Sequence, residues 1–178
     1  MQTEVKPDEQ VIAYQLPQVP YMSKDLVHGG VMTDWLEDDN LWVPATETVS
    51  FKPLILNATH GYYVNMLRVR KAGVLSRHRH SGPVHAFTLR GKWHYLEHDW
   101  IAAAGDYVFE PPGETHTLIV PDDVEEMVAL FHVTAGYTYV DPYGVAKGYE
   151  DVFTKIAYAQ RHYQAVGLGA DYVKRFMR

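Results

Sequence analysis

From Val49 to Val140 the chain never runs far without a breaker: short apolar and β-branched stretches alternate with glycine, proline and aspartate. Runs this short do not make a helical bundle. They suit the strands of a barrel or sandwich, an architecture that folds a long β-chain onto itself. Strands are predicted at 49–56, 61–70, 84–90, 92–97, 100–103, 107–109, 116–120, 125–133 and 137–140. Residues 1–48, with Pro7, Pro17, Pro20 and Pro44, read as an N-terminal arm whose Val11, Ile12, Tyr14 and Leu16 pack on the barrel or on a second subunit. Glu37-Asp38-Asp39-Asn40 reads as a solvated acidic turn. In residues 141–178 the pattern becomes helical, with Val152, Ile156, Ala159 and Tyr163 on one face and Gly167 as the stop. The whole is a single domain: arm 1–48, barrel 49–140 and helical tail 141–178.

Six of the ten histidines lie between Gly73 and His116. His78 and His80 are two apart, so on a β-strand their side chains would leave the same face. Alone this means little, since ten histidines scattered over 178 positions give roughly half a His-x-His pair by chance. The second half of the stretch adds a longer pattern. Gly105-Asp106 turns the chain into a strand, Pro111-Pro112-Gly113 closes it, and His116 opens the returning strand. Three imidazoles meeting from two hairpins suit a first-row transition metal and leave positions open for chemistry.

These two halves resemble the paired motifs of the cupin superfamily, which implies an all-β double-stranded β-helix, or jelly-roll barrel, with a metal in its mouth. The family's first motif carries a glutamate ligand separated by six residues from a glycine; counting back from Gly91 finds Val84 there. The second motif commonly ends in asparagine, where this chain has Val120. The implied ligands are therefore His78, His80 and His116 with no carboxylate, and His85 is the alternative ligand. The runs His80-Ser81-Gly82-Pro83-Val84-His85-Ala86-Phe87 and Tyr107-Val108-Phe109-Glu110-Pro111-Pro112-Gly113-Glu114-Thr115-His116 are similar to the cupin dioxygenases that open 2,4'-dihydroxyacetophenone, and more distantly to the acetylacetone dioxygenases.

That resemblance implies a non-haem Fe(II) dioxygenase that splits an α-hydroxyketone beside its carbonyl. For 2,4'-dihydroxyacetophenone the products are 4-hydroxybenzoate and formate. The expected partners are dioxygen and a small aromatic ketone. Glu110 matches in position an outer glutamate of the acetylacetone enzymes and is the first candidate base; Glu97 is the second. If Val84 faces the metal, strand parity puts Ala86 and Thr88 on that face, making the three candidate substrate-pocket residues, and His85, Phe87 and Leu89 on the other. Trp93 and Tyr95 are candidates for an aromatic pocket wall, whereas Arg77 and Arg79 point away from the metal. Three histidines also accept zinc, nickel, copper or manganese, so a zinc or manganese isomerase or hydrolase is the rival enzyme, and a β-diketone dioxygenase a nearer one. A metal-binding sensor of the anti-sigma type is the non-enzymatic rival; no helical partner-binding module is read before residue 48.

Composition narrows the field further. There is no cysteine, which excludes thiolate metal sites, disulfides and cysteine nucleophiles. A formal charge of -6 disfavours nucleic acid or an anionic membrane as a partner. The first ten residues lack the basic start and apolar run of a secretory signal, and no apolar stretch is long enough to span a bilayer, so a cytoplasmic location is expected. The apolar outward face of the barrel and the helical tail predict a homodimer or a tetramer of dimers.

Overall fold

The computed structural model describes residues 12–20, 24–31 and 38–178. Two antiparallel six-stranded sheets pack face to face. The first contains β1 (Val43–Pro44), β2 (Val49–Asn57), β3 (Tyr62–Val69), β5 (Val84–Arg90), β8 (Tyr107–Glu110) and β10 (Met127–Thr134), in the order β1-β2-β3-β10-β5-β8. The second contains β4 (Gly73–His80), β6 (Lys92–Tyr95), β7 (Ala102–Ala103), β9 (Thr115–Val120), β11 (Tyr137–Val140) and β12 (Ala146–Glu150), in the order β12-β11-β4-β9-β6-β7. The chain changes sheet repeatedly, which is the jelly-roll arrangement of a cupin barrel. A helix, α1 (Val152–Ala165), follows the last strand.

Side-chain parity builds the interior. On β5, Val84, Ala86 and Thr88 are buried while Phe87 is exposed, as alternation requires. Phe51, Tyr63 and Met127 of the same sheet, and Trp93 and Tyr95 of the facing sheet, join them in the core. The Trp93 indole N–H donates to Thr88 Oγ1 at 2.9 Å, so the largest core side chain leaves no polar atom unpaired. Between β5 and β6 Gly91 takes φ 69°, and a Cβ there would stand 2.5 Å from the Glu126 carbonyl oxygen. Only glycine allows the two chains to approach so closely.

α1 begins with a reciprocal cap. The Asp151 carboxylate accepts from the Thr154 backbone N–H, and the Thr154 hydroxyl accepts from the Asp151 N–H. Val152, Ala159 and Tyr163 face the barrel as the spacing predicts, and Gly167, at φ 84°, ends the helical run. Lys155 is also buried on this face, which a polarity pattern does not reveal. Ahead of α1, within the segment read as a helical tail, β12 pairs with β11 and so joins the second sheet.

Two expectations change on the N-terminal side. Ile12, Tyr14 and Leu16 are exposed and do not pack on the barrel, and Val11 lies outside the described residues. The acidic turn is not simply solvated. Asp38 accepts from the Asn40 N–H, and Asp39 pairs at 2.8 Å with the buried Arg68, whose guanidinium covers the Trp42 ring. No helix among the described residues is long and apolar enough to cross a membrane.

Candidate metal centre

Register brings the three histidines together. β4 lies between β11 and β9; His78 pairs directly with His116 of β9, while Tyr137 and Tyr139 of β11 face His80 and His78. One imidazole from each motif thus becomes a cross-strand neighbour, and His80 joins from two residues along the same face. The Nε2 atoms of His78 and His80 are 3.0 Å apart, and one ligand nitrogen from each of the three rings lies within 4.8 Å of the others. Their exposures are 6%, 3% and 0% for His78, His80 and His116.

Each ring is held from outside. The Ser76 hydroxyl lies 3.0 Å from His78 Nδ1 and favours the tautomer that turns an Nε2 lone pair inward. His116 stacks on Tyr95 with ring centres 3.6 Å apart and planes 7° from parallel. Glu114 stands 3.6 Å from His116 Nδ1, and its other oxygen is 2.9 Å from His98 Nε2. The Tyr137 ring packs 4.8 Å from His78 and 5.3 Å from His80, centre to centre.

Burial drives the pKa of all three imidazoles down to about 3. Charge on a neighbouring imidazole would lower each further, from His116 on His78, from His78 on His80, and from His80 and His98 on His116. They are neutral at physiological pH, the state that binds metal. His116 Nε2 and Glu110 Oε2, 3.6 Å apart, are buried and have no hydrogen-bond partner among the described residues. Unpaired buried acceptors facing one another cost free energy that a cation among them would recover. The residues therefore fit a divalent metal.

This neutral state sets a pH dependence. A base whose folded pKa is below its unfolded value adds stability that is complete above the unfolded pKa and declines as pH falls toward the folded one. For these imidazoles the window runs from about 6.5 down to about 3. The melting temperature of metal-free protein is expected to fall steadily from pH 6.5 to pH 4, and bound metal to be lost over the same range as protons compete for nitrogen. Calorimetry with metal analysis across that range checks both; a flat profile would contradict the neutral buried triad.

Glu110, at the end of β8, is 2% exposed. Its Oε1 accepts from the Tyr95 hydroxyl at 2.8 Å, and its Oε2 lies 3.3 Å from His80 Nε2 and 3.6 Å from His116 Nε2. Val84, which occupies the family's usual glutamate position, is its direct cross-strand partner. The carboxylate missing from β5 thus stands one strand over, on the same face. An acidic oxygen stands beside the three nitrogens, which the absence of a carboxylate from the motif did not lead one to expect. Burial raises the Glu110 pKa to about 7, the Tyr95 hydrogen bond pulls it back, and Glu114 adds to the rise.

The other predicted residues are placed as follows. Glu97 is exposed and bound to the Thr117 N–H and hydroxyl at 2.7 and 2.8 Å, which ties it away from the histidines. His85 points outward, bonded to the Tyr107 hydroxyl at 2.7 Å and stacked on His132, on the face opposite Val84, so it is not the alternative ligand. A cavity of about 410 Å³ opens beside the centre, walled by His78, His80, Tyr95, Phe51, Tyr63, Asn65, Phe131 and Tyr137 among others. Of the predicted pocket residues only Tyr95 lines it. Val84, Ala86, Thr88 and Trp93 are inward-facing as read, but they are in the packed core. Arg77, predicted to point away, is among the cavity-lining residues, and Arg79 instead donates to the Gly113 carbonyl.

Several residues of the site carried no local signal. Tyr137, Tyr63 and Asn65 reach the cavity from strands remote in sequence. Glu150 of β12 and Lys155 of α1 form a buried ion pair at 2.6 Å in the cavity wall, and the Tyr137 hydroxyl donates to the same Glu150 oxygen.

With this geometry in hand, the family is plain. Residues 35–137 match the family of the ChrR cupin-like domain, and the chain belongs to it. No curated protein matches the chain. Among solved structures it is similar to an RmlC-like cupin protein from Ralstonia eutropha JMP134, at 25% identity and a TM-score of 0.68 over 71% of this chain and 83% of that one. A second cupin-like protein of unknown function from the same organism shares 24% identity, with a TM-score of 0.67 over 70% and 78%. An acetylacetone dioxygenase from Acinetobacter johnsonii shares 18% identity, with a TM-score of 0.63 over 85% of this chain and 99% of that one.

Proposed function

We propose that this protein is an Fe(II)-dependent dioxygenase that cleaves the carbon–carbon bond beside the carbonyl of a small aromatic hydroxyketone. The observation that carries the reading is the juxtaposition of three neutral buried imidazoles with an aromatic-walled cavity of about 410 Å³, a volume within the range of small-molecule sites. His78, His80 and His116 would hold the ion. When bound, it supplies a Lewis acid for the ketone and hydroxyl oxygens and a redox partner for dioxygen.

The chain's own groups do the remaining work. Tyr95 occupies one Glu110 oxygen, so a proton taken from the substrate hydroxyl has Oε2 as its destination. Burial pushes the Glu110 carboxyl above its ordinary range, which favours its taking that proton. Burial also holds the Tyr95 hydroxyl well above its ordinary pKa, so Tyr95 stays a donor and keeps Glu110 oriented. Phe51, Phe131, Leu118 and Val133 make the cavity wall apolar and limit water around the reacting ketone. Overall, the bond between carbonyl and carbinol carbons breaks, and each of the two carboxyl products gains one atom of dioxygen. For 2,4'-dihydroxyacetophenone these are 4-hydroxybenzoate and formate.

The test is turnover of that ketone by Fe(II)-loaded protein under ¹⁸O-labelled dioxygen. One label in each product is expected. Oxygen-independent conversion, or unlabelled products, would exclude the reading. One observation favours a different one: Glu110 Oε2 is spaced from two imidazoles as a fourth ligand would be. A site closed by that oxygen would be structural or sensory, since closed four-coordinate shells are the mark of such zinc sites.

A further inference from the structure

Two buried polar atoms in the cavity wall make no hydrogen bond among the described residues. Tyr63 and Asn65 are two apart on β3, and parity turns both inward. Both are buried, at 1% and 4% exposure, yet the Tyr63 hydroxyl and Asn65 Oδ1 lack hydrogen-bond partners. Beside Tyr63, the Tyr137 hydroxyl lies close enough to influence it but outside hydrogen-bond geometry, and gives its own proton to Glu150, which is paired with Lys155. Burial, reinforced by the Glu150 charge, keeps the Tyr63 hydroxyl protonated and thus a donor. Asn65 Oδ1 can only accept.

We infer that Tyr63 and Asn65 form a recognition pair for a hydroxyl group on the bound ligand, at a point separate from the oxygens held at the metal centre. The donor and acceptor inventory selects the group. A carbonyl, ether or halogen can accept from Tyr63 but offers Asn65 nothing, and an ammonium can donate to Asn65 but cannot accept from Tyr63. A hydroxyl does both. With Phe51, Phe131 and Tyr137 also in the wall, the ligand class is a hydroxyaryl ketone. This rests on the ketone-binding reading above and adds which ketones the site prefers.

The experiment measures anaerobic binding of two chelating ketones to zinc-loaded protein by calorimetry. These are 2,4'-dihydroxyacetophenone and 2-hydroxyacetophenone, which lacks only the ring hydroxyl. Wild-type protein is expected to bind the first at least about 10-fold more tightly, because a pocket built for a hydroxyl is left with unpaired polar groups when the hydroxyl is missing. In Tyr63→Phe and in Asn65→Leu the ratio should fall toward one, with affinity for 2-hydroxyacetophenone largely retained. Equal affinities in the wild type, no binding of either ketone, or a ratio that survives both substitutions overturns the inference. Turnover is not part of this readout. Failure of the dioxygenase chemistry would leave the ratio intact, whereas equal binding alongside labelled products would remove only the role of Tyr63 and Asn65.

Discussion

Replacing His116 with alanine is expected to abolish stoichiometric metal binding. His116 is completely buried, lies opposite His78 across the β4–β9 ladder, and presents an Nε2 with no hydrogen-bond partner among the described residues. It is also the only one of the three imidazoles contributed by the second motif. Disturbing a mere outer partner of a metal ligand costs about 10–100-fold in affinity, so loss of a ligand itself should exceed about 100-fold. Dialysis followed by elemental analysis reads this directly, with one ion per chain retained by the wild type and none by the variant. His116→Ala also removes the ring stacked on Tyr95, so the melting temperature of both metal-free proteins must be compared. A variant that melts normally and still keeps one tight ion would place the metal elsewhere.

The second large effect is expected in stability. Lys155→Met leaves the Glu150 carboxylate buried without its counter-ion, with the Tyr137 hydroxyl still donating to it. Breaking a buried pair by deleting one partner costs about 3–5 kcal/mol. In a chain of this size that lowers the melting temperature by about 10 °C. Adding Glu150→Gln to Lys155→Met should recover most of the loss, because the charge left behind is then gone; replacing both members of a buried pair is often neutral. Thermal denaturation of the wild type, the single and the double variant decides it. If the single variant were as stable as the wild type, water would have to reach Glu150 and the cavity would be wetter than its walls imply. The same network holds Tyr137 against His78 and His80, so metal affinity should weaken along with stability.

What could be read from the sequence divides along the line between local and non-local physics. The period-2 rule put His78 and His80 on one face and set Val84, Ala86 and Thr88 opposite His85 and Phe87, and the strands follow it. The helical period likewise found the buried face of α1 apart from Lys155, whose charge disguised it. Parity says which side chains point inward but not which part of the interior they enter. That is why Val84, Ala86, Thr88 and Trp93 lie in the packed core while Phe51, Tyr63 and Asn65 flank the cavity. Strand pairing was equally out of reach. Val84 signalled a missing carboxylate, and Glu110 was a candidate base, but only the β5–β8 register makes the two neighbours. β12 gave no apolar signal, since its residues are exposed up to Glu150 and β11 alone holds it in the sheet.

The central claim is a nitrogen-held ion with positions left for a ketone. X-ray absorption on anaerobic Fe(II)-loaded protein, recorded before and after adding 2,4'-dihydroxyacetophenone, tests it most directly. The expected spectrum shows three imidazole donors with exchangeable light-atom ligands, and the ketone replaces those ligands. An inner sphere already completed by the Glu110 carboxylate, and unchanged when ketone is added, would contradict it.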